Sequence, residues 1–382
     1  MIARLNVGGT ALHVLTLTRT FNNDKYDTLL LHGNVESNEE DMTKYEGMNV
    51  SQKEILPELG RSIRPLKDIV TLMKVIKVIR RERPDIVHTH TAKAGAVGRS
   101  AAAICRVPVI VHTYHGHVFS GYFSPLMSNV FRMIDKFLAR RSTRIITISK
   151  LQKEELSGLL GLKEGRVEVI PLGFGVEKFA TCRECRAGEF RKLIGVPDEA
   201  KIVSIIGRIT GIKNHTLFLE AAKLIAEKND DAVFVIVGDG EDREKCERMA
   251  KEFAIEKRVI FTGWQEDIEK VYADTAVTVL TSINEGTPMC VIESLAAGVP
   301  VVATKVGGVA DIFDDGEGGF IVEPGDAKAV AEAVLKLLYD ETLCRKIGTA
   351  GQNRMIETYK EERMLNDMES LYEKLLDESK KR

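Results

Sequence analysis

The segment Glu285-Gly-Thr-Pro-Met-Cys-Val-Ile-Glu293 sets two carboxylates around the start of a helix. Thr287 is a good N-cap residue and Pro288 suits the first helical position. Gly286 lets a ligand approach the main chain closely. The N–H groups of Met289 and Cys290 then point out of a helix N-terminus, which is a ready anion site. Carboxylates accept hydrogen bonds from sugar hydroxyls, and a helix start takes phosphates. The segment therefore fits a nucleotide sugar. It also fits a capped helix with two solvent-facing glutamates.

A second segment, Gly207-Arg208-Ile-Thr-Gly-Ile-Lys213-Asn214-His215, follows a strand. Two cations on a Gly-bearing loop can clamp a diphosphate, although a basic surface loop has the same composition. Both loops are expected to end strands of one sheet and to open on one edge. That coincidence favours the ligand reading for each.

Other motifs carry less. The sequence has no Asp-x-Asp, the pattern that holds Mn²⁺ or Mg²⁺ in many sugar transferases. His88, His90, His112, His115 and His117 include H-x-H pairs that share a strand face. No carboxylate or Cys accompanies them, so no metal site is predicted. Gly238-Asp-Gly240 begins like a dinucleotide fingerprint, but position 243 is Arg and no acidic strand end follows, so NAD is not expected. Cys182 and Cys185 form a single C-x-x-C, which reads as a helix turn with two thiols.

These residues need a scaffold. Short apolar runs alternate with amphipathic stretches, the pattern of βαβ units and parallel sheets. Strands are expected at Thr28–His32, Ile86–His90, Val109–Tyr114, Ile145–Ser149 and Val167–Ile170. Further strands are expected at Ile202–Gly207, Val233–Gly238, Val259–Gly263, Ala276–Leu280, Val301–Thr304 and Gly319–Val322. Helices are expected at Leu66–Arg83, Ala94–Cys105, Leu126–Arg141, Thr216–Lys228, Arg243–Phe253, Met289–Ala297 and Ala327–Tyr339. The fold class is α/β, with two doubly wound Rossmann-like domains. At 382 residues two domains are the ordinary expectation. The division is placed in a Pro/Gly stretch: 1–170, then 171–360, then a polar helix Glu361–Lys380 within 361–382 that is free to return to the first domain.

Taken in order, Glu285-x7-Glu293, the Gly207-Arg208…Lys213-Asn214 loop, Val237-Gly-Asp-Gly-Glu241, Pro171-Leu-Gly-Phe-Gly-Val176 and Asp85-Ile-Val-His-Thr-His90 resemble glycosyltransferase family 4, the retaining GT-B enzymes. The resemblance implies two domains facing a central cleft, hexosyl transfer and no metal or other cofactor. It implies that Glu285 binds donor-sugar hydroxyls and that Glu293 holds the ribose. Arg208 and Lys213 would take the diphosphate. The backbone of Gly286, Thr287, Pro288, Met289 and Cys290 would line the sugar and phosphate pocket. Gly8 and Gly9 match the family's first Gly loop, and His115 matches its active-site histidine, with His117 as the alternative. Only Met1–Asn6 precede that loop, so the first strand is expected to be very short, or the chain to begin upstream.

Composition excludes disorder and fibrous classes, with 44% hydrophobic and 29% charged residues. The longest uncharged run, Val107–Phe131, is too polar to span a bilayer. No secretory leader is apparent, so a cytoplasmic location is expected. Residues 1–180 carry 26 Lys/Arg against 18 Asp/Glu, and the remainder 28 against 38. The basic half includes Leu66–Arg83 and Phe119–Arg144. The expected partners are a nucleotide-sugar donor, a glycan or lipid-linked acceptor and an anionic membrane surface, with no nucleic acid. The rival readings are a nucleotide-sugar 2-epimerase and a non-catalytic sugar- or nucleotide-binding protein.

Overall fold

The computed structural model describes every residue except 37–38, 45–46, 61–63, 116–124, 164 and 382. The chain forms two compact units, Met1–Gly173 with Glu361–Arg382, and Phe174–Lys360.

In the first unit the strands are β1 (Ile2–Arg4), β2 (Leu30–Gly33), β3 (Lys53–Ile55), β4 (Ile86–His90), β5 (Val109–Tyr114), β6 (Arg144–Thr147) and β7 (Val167–Val169). The helices are α1 (Gly9–Thr20), α2 (Pro65–Glu82), α3 (Ala92–Ile104), α4 (Pro125–Arg141) and α5 (Lys150–Leu160). Two parallel ladders, β1-β2-β3 and β4-β5-β6-β7, meet where the Met1 nitrogen donates to the His88 carbonyl at 2.8 Å. The His90 N–H returns a bond to the Met1 carbonyl at 2.9 Å. The combined order is therefore β3-β2-β1-β4-β5-β6-β7. The order reverses between β1 and β4, the place where open α/β sheets bind ligands.

Alternate residues of β5 face opposite layers. Ile110 packs with α2 and α3, whereas Val109 and Val111 pack with Leu17 of α1 and Phe21 just past it. The last helix of the chain, α16 (Glu361–Lys380), covers this second face. It buries Met364, Met368, Leu371, Tyr372 and Leu375, one stripe at helical spacing.

The second unit opens with three short helices, α6 (Glu177–Ala180), α7 (Cys182–Cys185) and α8 (Glu189–Ile194). Its strands are β8 (Lys201–Ile206), β9 (Ala232–Val237), β10 (Val259–Gly263), β11 (Thr275–Leu280), β12 (Val301–Thr304), β13 (Asp314–Asp315) and β14 (Gly318–Val322). Its remaining helices are α9 (His215–Ala226), α10 (Arg243–Glu252), α11 (Ile268–Asp274), α12 (Met289–Ala296), α13 (Val309–Ile312), α14 (Ala327–Tyr339) and α15 (Glu341–Tyr359). The sheet order is β10-β9-β8-β11-β12-β14-β13, and the strands are parallel. Continuous β-branched runs such as Ala-Val-Phe-Val-Ile-Val in β9 suit strands covered on both faces. Here the order reverses between β8 and β11.

The expected strands and helices all form, with ends within two residues of those expected. Several elements were not foreseen. β3 is only Lys-Glu-Ile, too short for a period to show. The Leu-Thr-Leu-Thr-Arg-Thr of α1 alternates like a strand but is helical. The first strand, expected to be very short, has three residues.

Candidate active site

The loops after β8, β9, β11 and β12 at the carboxyl edge of the second sheet are locked by backbone contact. The loop after β8 turns on itself, with Lys213 N–H donating to the Thr210 carbonyl at 3.0 Å. Gly238, just past β9, lies against it: a Cβ there would sit 2.1 Å from the Gly207 carbonyl oxygen. A Cβ on Gly240 would sit 2.3 Å from that of Ile209. The Gly238-Asp-Gly240 motif therefore serves to seat the Gly207–Ile209 main chain. The loop after β11 is tied to the same element. Ile283 N–H donates to the Ile212 carbonyl at 2.8 Å, and the Thr281 hydroxyl reaches the Asn214 carbonyl at 2.9 Å.

These constraints set Lys213 against Glu285. Lys213 Nζ lies 2.6 Å from Glu285 Oε1, which also accepts from the Ser282 hydroxyl at 2.6 Å. The Glu285 side chain is 9% exposed. Burial alone would lower the Lys213 ammonium, but the facing carboxylate outweighs it and raises the ammonium above the ordinary lysine range. Arg208 is exposed on the same loop.

The helix start is one residue later than its sequence suggests. Pro288, not Thr287, occupies the N-cap of α12, and Pro288 is not the first helical residue. No side chain caps the helix. The Thr287 hydroxyl is instead buried without a hydrogen-bond partner among the described residues. The N–H groups of Met289 and Cys290 precede the first internal bond, Val291 to the Pro288 carbonyl. Burial pushes the Cys290 thiol up to about 12, so it is a neutral lining group and not a nucleophile. Glu293 is one turn on. Its Oε2 lies 2.9 Å from the Tyr272 hydroxyl, and burial pushes its carboxyl up.

The structure brings Arg208, Lys213, Glu285 and the α12 start to one edge, on both sides of the β8/β11 reversal. Sequence reasoning missed their supports. Gly307 and Gly308, after β12, press on the Glu285–Gly286 main chain, and Gly308 N–H donates to the Gly286 carbonyl at 3.0 Å. The signal was the Gly-Gly pair after an apolar strand. Trp264, just past β10 on this edge, is 65% exposed.

In the first unit the reversal between β1 and β4 carries its own cluster. Gly8 is the N-cap of α1, and Gly9 is its first residue. His115 follows β5, His90 ends β4 and His13 lies on α1. His90 Nδ1 is 3.1 Å from His115 Nε2, and the His13 ring meets the His115 ring edge-on at 5.1 Å. Burial pushes His13 down to about 4, and His88, His90, His112 and His115 well below the usual histidine range. His88 and His112 are bonded to Thr113 and Thr89. His117 lies outside the described residues. His13 was missed because α1 was not foreseen.

Residues 187–354 match the family described as glycosyl transferases group 1, and residues 7–178 match glycosyltransferase family 4. The UDP-Gal:alpha-D-GlcNAc-diphosphoundecaprenol alpha-1,3-galactosyltransferase of Escherichia coli is 32% identical over 75% of this chain and 75% of its own. The chain belongs to the group 1 glycosyltransferases, with a family 4-type N-terminal domain. This glycosyltransferase is also 30% identical to the capsular polysaccharide biosynthesis glycosyltransferase CapM of Staphylococcus aureus, over 84% and 85% of the two chains. Its fold is GT-B. The crystal structure of Anabaena Alr3699/HepE in complex with UDP superposes with a TM-score of 0.81 at 20% identity, covering 98% of each chain. No helix among the described residues of the glycosyltransferase is long and apolar enough to cross a membrane.

Proposed function

We propose that this glycosyltransferase moves a hexosyl group from a UDP- or GDP-sugar to a lipid-linked or glycan acceptor, with retention at the anomeric carbon and without a metal. The observation that carries the reading is the Lys213–Glu285 pair beside the α12 start and Arg208 at the sheet reversal. Lys213 gives Glu285 one of its three hydrogens and has two left for phosphate oxygens. Arg208 and the α12 amides add preorganised positive charge where the departing diphosphate collects negative charge. Glu285 Oε2 accepts a sugar hydroxyl, and Glu293 accepts from the ribose. In the transfer the anomeric C–O bond to phosphate breaks and a C–O bond to the acceptor forms on the same face. The acceptor's proton goes to the departing phosphate oxygen. Neutral His115, with Gly8 and Gly9 at the start of α1, is the candidate active-site group of the first unit.

The acceptor side rests on the galactosyltransferase relative, whose name specifies a diphosphoundecaprenol acceptor. It also rests on an exposed face of the first unit. α2 and α4 both cross the sheet rightward and flank α3 on one layer. α2 exposes Leu66, Ile69, Val70 and Met73, and α4 exposes Met127, Val130, Met133, Ile134 and Phe137, each at helical spacing. Lys67, Lys74, Lys77, Arg80, Arg132, Lys136 and Arg140 lie on the same helices. An apolar stripe edged by cations suits an anionic bilayer surface. Phe119, Tyr122 and Phe123, also expected there, lie outside the described residues.

Glu285→Gln tests the site. Loss of one such contact costs on the order of 10²–10³ in kcat. UDP release from UDP-sugars should fall by that factor with the thermal midpoint unchanged, and undiminished turnover would refute the reading. Running the assay with and without a polyprenyl-diphosphate acceptor separates transfer from 2-epimerisation, which needs none.

A further inference from the structure

We infer that His13, His90 and His115 form a binding site for a zinc-class divalent cation. Each ring offers a nitrogen within 4.8 Å of one from each of the other two. Three-histidine zinc sites place their nitrogens about 3.3 Å apart, given metal–nitrogen bonds of about 2.0–2.1 Å. The His90 Nδ1–His115 Nε2 separation is already 3.1 Å. His13 therefore has to close on that pair by a small ring rotation. His13 Nε2 is buried and has no hydrogen-bond partner among the described residues. A cation gives that nitrogen a partner the protein itself does not supply.

The scaffold is rigid. His90 ends β4, and the register of that strand sets it opposite Thr113 of β5, two residues before His115. His13 is held on α1, where its Nδ1 touches the Met364 sulfur at 3.1 Å. His88 stacks at 4.2 Å on His90 and is pinned by Tyr372 and Thr113. The donor set is imidazole only. That favours Zn²⁺, Co²⁺, Ni²⁺ or Cu²⁺ over Mg²⁺, Mn²⁺ or Ca²⁺, which prefer oxygen. Three-histidine zinc centres take hydroxide or another anion as the fourth ligand.

The cation is not a cofactor for transfer. It occupies a lone pair of His115, so its binding inhibits. That consequence, unlike the binding itself, rests on the reading of His115 as an active-site group.

The test is titration of the chelator-treated full chain with Co²⁺, followed by competition with Zn²⁺. One equivalent of tetrahedral Co²⁺ bands, displaced by Zn²⁺, is expected. His13→Gln and His115→Ala should each weaken binding at least tenfold with circular dichroism unchanged. Absent bands, or full binding in both variants, would overturn the site. X-ray absorption of the wild-type zinc complex decides the matter if a variant fails to fold: a shell of three imidazoles supports the site, and a sulfur or all-oxygen shell overturns it. In the activity arm zinc should stop UDP-sugar turnover in the wild type and spare it in His13→Gln. A chain that binds Co²⁺ in this way but never turns over a UDP-sugar would instead fail the proposed function.

Discussion

Gly307 has a backbone φ of +49°, and a Cβ there would lie 1.7 Å from the Glu285 carbonyl oxygen. No L side chain fits without moving the Glu285 main chain. Gly316 shares the positive φ, at +84°, but nothing lies within 4 Å of its notional Cβ. The two separate strain from displacement. Gly316→Ala should cost about 1 kcal/mol of stability and leave turnover alone. Gly307→Ala should lower kcat/KM for the donor at least tenfold. Equal kinetics in the two variants would show that the contact does not position Glu285. His215 is a second residue with a measurable signature. Its side chain is 2% exposed, both ring nitrogens lack partners among the described residues, and burial holds it at about 4. Unfolded, it titrates near 6.5. Between pH 6.5 and 4 the unfolded state binds a proton that the folded state does not. Stability is therefore full above pH 6.5 and falls as pH drops, by up to roughly 3 kcal/mol. His215→Leu should flatten the acid limb of the urea midpoint between pH 7 and 4.5, and an unchanged slope would count against this assignment.

Among the elements, α4 makes the membrane reading testable. Its exposed Met133 and Phe137 are 71% and 57% accessible, and the Arg141 guanidinium lies 4.7 Å over the Phe137 ring. Anionic vesicles should float the wild type at low salt. Met133→Asp with Phe137→Asp should abolish flotation while leaving turnover of a soluble acceptor analogue intact. Flotation retained in that double variant would place the contact elsewhere. The α2 and α4 stripes were only half legible in the sequence. Their charges could be counted, but which apolar residues stay uncovered depends on α3 and the sheet taking the others. The same limit explains the candidate site. Glu285, Lys213 and Arg208 showed because motifs follow strands. Gly307, Ser282 and Tyr272 did not, because their role is contact with residues distant in sequence. The α12 boundary shifted for a related reason: Thr287 has cap chemistry, but its hydroxyl is buried and unpaired and does not fold back on the helix.

At the scale of the whole molecule, the chain leaves its first unit near Gly173 and returns to it at Glu361. The helix was expected to be free to return to the first domain, but which residues its stripe covers was not legible, since a helical stripe names no partner. In the structure the stripe closes the layer formed by Leu17, Phe21, Val109, Val111 and Ile146. Arg363 adds a clasp, its guanidinium donating to the Pro171 and Leu172 carbonyls at 2.7 and 3.1 Å. Lys25 pairs with Glu369 and Glu373 at the surface, where such pairs add little. Apolar burial therefore dominates the hold of α16. Leu375 is fully buried, and Leu375→Ala should destabilise the first unit by about 2–5 kcal/mol. Because α16 belongs to that unit, the loss should be local. Hydrogen exchange should quicken in α1, β5 and β6 and remain as in the wild type across β8–β12. Acceleration spread evenly over both units would mean that α16 stabilises the chain as one cooperative body.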